Sequence, residues 1–108
     1  SIHVNSASAT SARGTEVFFD TDANDNGIES KYLETEIHNK ILSYADMYNR
    51  GVKDTGFKVI KYQDIPAVLV ELGFLTNASD FAKLTSDAYL EKFAEAIYQG
   101  IYLYYSKP

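Results

Sequence analysis

The chain contains no cysteine, which excludes disulfide staples and thiolate metal sites and leaves the redox compartment open. Basic residues are scarce and scattered: ten Lys and Arg stand against fifteen Asp and Glu, for a net charge of −5. Recognition of a nucleic-acid backbone needs a concentrated positive face, so that class of partner is excluded. Long apolar runs are missing as well. The longest, from Pro66 to Leu75, is interrupted by Glu71 and is too short to cross a bilayer, so no membrane insertion is expected. No internal repeat and no Pro-rich linker divides the chain, and its first residues lack the basic-then-apolar pattern of a secretory signal. A length of 108 residues with 45% apolar content fits a single folded domain and argues against disorder.

What is present reads as alternating strands and helices. Ser1 to Asn5 forms a strand that begins with no preceding turn or cap, so an upstream portion of the domain is expected. Ser6 to Gly14 is a loop of small polar residues, and Thr15-Glu16-Val17-Phe18-Phe19 is a β-branched and aromatic run, hence a second strand. Asp20 to Gly27 is a polar loop. From Ser30 to Asn49 the residues Leu33, Ile37, Ile41, Tyr44 and Tyr48 recur at helical spacing, and Asn49-Arg50-Gly51 supplies a stop. Phe57 to Tyr62 alternates as a short strand. Ala67-Val68-Leu69-Val70 is apolar on both faces, as a central strand covered by helices on each side should be. Asn77 is a candidate N-cap for a short helix ending near Leu84. Ser86-Asp87 opens a last helix with the stripe Leu90, Phe93, Ala94, Ile97, Ile101 and Tyr104. The class is α/β.

Chemistry concentrates at few positions. Glu71 follows four apolar strand residues and precedes Leu72-Gly73-Phe74-Leu75. An ionised carboxylate is expensive to bury alone, so Glu71 is either a reactive group with a raised pKa, a partner of a nearby cation, or a strand-end residue turned to solvent. His3 lies in the first strand, where an imidazole is either a rigidly aimed zinc ligand or a hydrogen-bonded rim residue. His38 lies off the apolar stripe of its helix and is expected to be solvated. Within Asp20 to Gly27, taking Asp22 as position one of a calcium loop puts Gly27 at position six, but position twelve is Leu33, so a solvated acidic turn is expected instead. Tyr98, Tyr102, Tyr104 and Tyr105 cluster on the last helix; packing at the core and its rim explains them more simply than a sugar-binding platform.

Several segments together resemble the zinc-dependent N-acetylmuramoyl-L-alanine amidases that cut peptidoglycan. Ser1-Ile2-His3-Val4-Asn5-Ser6-Ala7, Gly14-Thr15-Glu16-Val17-Phe18, Asn49-Arg50-Gly51-Val52-Lys53 and Gly56-Phe57-Lys58-Val59 follow the family order. Pro66 to Asn77 is the most diagnostic stretch, and residues 89 to 105 resemble the closing helix. The resemblance implies a mostly parallel twisted sheet flanked by helices, as part of an amidase catalytic domain. It implies Glu71 as catalytic base, His3 as one of three zinc ligands, and Asn5 and Arg50 as residues that orient the site or contact the peptide stem. The other two ligands belong to a Gly-His-Gly-Gly segment and a helix Glu that this sequence lacks. Residues 1–108 therefore read as the C-terminal portion of the domain, with zinc completed by a missing N-terminal half of the same domain, and the chain alone is expected to be inactive. Peptidoglycan is the implied partner, and the bacterial cell wall, reached by secretion or from a phage lysin, is the implied place of action. The family includes autolysins, sporulation hydrolases and endolysins. A non-catalytic wall-binding module on the same fold is the alternative.

Overall fold

The structure, a computed structural model, describes residues 1–19, 27–54 and 66–106, with the side chains of residues 27 and 28 set aside. The expected acidic turn over residues 20–26 and the expected strand over 57–62 lie outside the described residues. Seven elements follow in order: β1 (Ile2–Asn5), β2 (Thr15–Phe19), α1 (Gly27–Ala45), β3 (Asn49–Asp54), β4 (Leu69–Phe74), α2 (Ala78–Leu84) and α3 (Asp87–Ser106). The strands form one sheet in the order β1-β4-β2-β3. β1 pairs with β4 and β2 with β3 in parallel, whereas β2 and β4 meet antiparallel. Two of the three pairings are parallel, as expected, but the sheet divides into two pairs of opposite direction.

Strand alternation sorts the side chains onto two faces. Val17 and Val70 sit opposite one another, and they join Phe19, Val68 and Leu72 in the core. α1 lays Leu33, Ile37 and Ile41 onto this face, α3 adds Phe93 and Ala96, and α2 adds Leu84. The other face carries the residues of chemical interest. β4 also extends further than its apolar run suggested, so Glu71 lies inside the strand and not at its end.

α1 ends four residues earlier than the periodicity predicts. Ala45 is its last residue, and Asp46 follows at φ 51°, a left-handed conformation that Asp tolerates better than most side chains. The Lys83 ammonium donates to the carbonyls of Asp46 at 2.7 Å and Ala45 at 3.4 Å, satisfying acceptors that a helix end leaves open. Asn49 to Asp54 is consequently strand, not helix exit. α2 starts as expected, with the Asn77 side chain accepting the Asp80 N–H at 3.0 Å. The Asp80 carboxylate, itself buried, accepts the N–H groups of Gly14 at 2.7 Å and Phe74 at 3.0 Å. One side chain thus ties the loop before β2 to the end of β4.

The buried side of α3 is rotated from the predicted stripe. Phe93, Ala96 and Gly100 face inward, while Leu90, Ala94 and Ile101 are exposed. Small residues win there because the two long helices approach closely. A Cβ on Gly100 would lie 2.6 Å from the Ile37 Cα and 2.8 Å from its N. Tyr104 is partly buried and donates from its hydroxyl to Glu29 at 2.8 Å, whereas Tyr98, Tyr102 and Tyr105 are exposed. Packing therefore accounts for one of these four tyrosines and not for the other three.

His38 overturns its expectation of a solvated helix residue: it is buried, with Nε2 2.8 Å from Asn49 Oδ1 on β3. Because α1 lies across β2 and β3, the helix flank beside the Leu33–Ile37–Ile41 line is covered too. Glu34, one turn earlier, is fully buried, and neither of its carboxylate oxygens has a hydrogen-bond partner among the described residues. Burial pushes Glu34 up to about 9, offset only in part by the Lys53 backbone and reinforced by Asp54. Burial also lowers His38 below its ordinary 6.5, against the hydrogen bond that its ring makes to the Asn49 side-chain oxygen.

Two predictions follow from this packing. Gly100→Ala should lower stability by about 1–3 kcal/mol in urea denaturation; an unchanged midpoint would place the α1–α3 crossing elsewhere. Folded Glu34 holds a proton that the unfolded chain releases above 4.5, so its contribution is complete at lower pH and is lost as pH rises toward 9. His38 works in the opposite sense, costing stability as pH falls below 6.5. Glu34→Gln should therefore be more stable than the parent by roughly 2 kcal/mol at pH 8 and close to it at pH 4.5. Parallel stability–pH curves for the two proteins would refute the buried neutral carboxyl.

Candidate active site

On the face turned away from the core, three strands set charged side chains side by side. His3 of β1 is the register partner of Glu71 on β4, and Glu71 is in turn the register partner of Glu16 on β2. Residues directly opposite in neighbouring strands have Cβ atoms about 4.5–5.5 Å apart, so His3, Glu71 and Glu16 form one row across the sheet. His3 is exposed, with Nε2 2.9 Å from the Ser1 hydroxyl. Glu71 is half-buried, and its Oε2 is enclosed without a hydrogen-bond partner among the described residues. Burial raises the Glu71 pKa; the charge of His3 opposes that shift and the charge of Glu16 adds to it. Glu71 is not the partner of a cation, since neither described ion pair involves it.

The cations instead converge on Glu16, which is buried to 4% exposure. Its Oε2 accepts Arg50 Nε at 3.2 Å and is joined by the Lys53 ammonium. Arg50 also donates to the Arg13 carbonyl at 3.4 Å and stacks its guanidinium 4.9 Å from the centre of the Phe74 ring. Two bulges make this arrangement possible. Between His3 and Asn5 the facing stretch of β4 runs from Glu71 to Phe74, one residue longer, and this turns Phe74 onto the Glu71 face. Between Thr15 and Val17 the facing stretch of β3 runs from Asn49 to Val52, again one residue longer.

Of the four residues singled out in the sequence, the fold brings His3 and Glu71 together directly. Arg50 lies on the same face, paired with the Glu16 carboxylate. Asn5 stands at the end of β1, beside Phe74 in register, and its Oδ1 accepts the Ser6 N–H at 2.8 Å. Glu16 and Lys53 were not anticipated. A signal for Glu16 was present, since it interrupts an apolar strand just as Glu71 does; the signal for Lys53 was not, because its face depends on a bulge.

Such a face can hold a metal only in part. The exposed imidazole of His3 beside the unpartnered Glu71 oxygen fits one ligand and one proton acceptor. Among the described residues, however, no group of three His, Cys, Asp or Glu could hold a metal ion.

Comparison with known proteins bears on the family and the fold. The family described as N-acetylmuramoyl-L-alanine amidase matches residues 1–102. The uncharacterized protein YqiI of Bacillus subtilis (strain 168) is 47% identical over 99% of this chain and 50% of its own length. The N-acetylmuramoyl-L-alanine amidase LytC of the same organism is 42% identical over 97% of this chain and 21% of its own. Among solved structures, the CwlD amidase from Clostridioides difficile, determined in complex with the GerS lipoprotein, superposes with a TM-score of 0.88 at 36% identity. That superposition covers 97% of this chain and 52% of the other. The chain thus spans half or less of the length of these two curated relatives, and it has the α/β fold of amidase catalytic domains. It belongs to the N-acetylmuramoyl-L-alanine amidase family.

Proposed function

We propose that this chain carries part of the active site of a peptidoglycan amidase, which hydrolyses the amide between the lactyl group of N-acetylmuramic acid and L-alanine. The observation that carries the reading is the pairing of His3 with Glu71 on adjacent strands, on the face opposite the core. Family membership and the amidase relatives support it.

In this reading Glu71 is the general base and then the general acid. Its carboxylate takes the proton of the attacking water and returns it to the amide nitrogen, which leaves poorly until protonated. Partial burial and the neighbouring Glu16 both favour proton uptake by Glu71, which brings its pKa closer to the range where one group can serve both steps. His3 would hold zinc together with two ligands from outside this chain, and the metal would supply a polarised carbonyl and a more acidic water. Asn5 and Arg50 line the same face and orient the site or contact the peptide stem. The place of action is the cell wall; no helix among the described residues is long and apolar enough to cross a membrane.

The incomplete ligand set favours a second reading, a wall-binding module without catalysis. The two differ in a single experiment on the full-length protein. Glu71→Gln should keep bound zinc by metal analysis while hydrolysis of purified peptidoglycan falls by roughly 10²–10⁴-fold. Undiminished hydrolysis by the variant would remove Glu71 from the mechanism, and an inactive parent would support the wall-binding module.

A further inference from the structure

Arg50 and Lys53 are three residues apart, so in a regular strand they would project from opposite faces. They share one face because β3 carries an extra residue at this point, three positions from Asn49 to Val52 facing two from Thr15 to Val17. Gly51 sits in the bulge at φ 91°, a left-handed backbone that suits glycine, and its N–H donates to Asn49 Oδ1 at 2.8 Å. A Cβ there would meet nothing within 4 Å, so conformation and not space is what calls for glycine.

The bulge thus sets two cations on the row that holds Glu71, in a chain whose net charge is −5. Glu16 is the single carboxylate in both ion pairs, and one negative charge against two positive leaves the trio with a surplus of one. Their side chains remain 32% and 42% exposed. Among the described residues, donors are also left over. The described hydrogen bonds use two of about five N–H groups on Arg50 and one of about three on Lys53. The guanidinium is fixed from a second side by the Phe74 ring, and a preorganised fork loses less freedom when it binds a carboxylate.

We propose that Arg50 and Lys53, positioned by buried Glu16, form a subsite for a free carboxylate on the peptide stem of the substrate. The proposal rests on the amidase reading above and names the group that this side of the site recognises. Glu16 acts through the two cations and is a positioning residue. The subsite makes the enzyme selective for stems whose carboxylate is ionised over stems in which it is amidated.

Two synthetic muramoyl peptides, identical except that one stem carboxylate is free or amidated, serve as probes. Binding is measured by calorimetry to the full-length Glu71→Gln protein, which does not consume them. The free carboxylate should bind at least tenfold more tightly. Arg50→Gln and Lys53→Gln should each bring that ratio to within about twofold of unity, and Glu16→Gln should do the same although its shape is conserved; Arg50→Lys should restore part of it. With Glu71 intact, Arg50→Gln and Lys53→Gln should raise KM for the free-carboxylate peptide more than they lower kcat. Equal affinity of the parent for both peptides, or a ratio that survives in both cation variants, overturns the proposal. Selective binding without hydrolysis of either peptide would sink the hydrolase reading and leave the carboxylate subsite standing. Hydrolysis of both at equal affinity would do the reverse.

Discussion

Two carboxylates stand directly opposite one another on antiparallel strands, Glu16 and Glu71, both withdrawn from water on the same face of the sheet. Like charges in that register repel, and each loses hydration besides. The arrangement holds because the two carboxylates are treated differently. Glu16 takes both Arg50 and Lys53, while Glu71 is left with one oxygen unpartnered among the described residues and a raised affinity for a proton. Pairs of acids pushed apart by their surroundings are how a fold assigns one to structure and the other to proton transfer. The division depends on the bulge at Gly51, since without the extra residue in β3 the two cations could not reach one face.

The rest of the fold makes that face available. α1 and α3 close over Val17 and Val70, crossing so tightly at Ile37 that only glycine fits at position 100. Asp80 secures the end of β4 to the loop before β2 through two backbone N–H groups. These contacts lie on the core side, and among the described strands β1 is at the sheet edge, carrying His3.

Much of this was legible in the residues. Glu71 interrupts an apolar strand, and that interruption points to the candidate site without any geometry. The alternating strands and amphipathic helices predicted the α/β class, and Asn77 was correctly read as a cap. What stayed hidden depends on long-range pairing. The face on which Lys53 and Phe74 project follows from bulges, which a period of two does not reveal. His38 looked solvated because it lies off the apolar stripe, yet β3 covers that flank of α1 and Asn49 supplies its partner. Buried Glu34 escaped notice for the same reason. The end of α1 was misplaced because an Asp in the left-handed region, held by a lysine from α2, stopped it ahead of the Asn-Arg-Gly signal.

The central claim is that this charged row serves cleavage of the bond between muramic acid and L-alanine. Mass spectrometry with end-group labelling of purified peptidoglycan, digested by the full-length protein, tests it most directly. The account predicts new free amino groups on L-alanine, with no increase in reducing sugar ends. New reducing ends, cleavage at other stem positions, or an unaltered wall would contradict it.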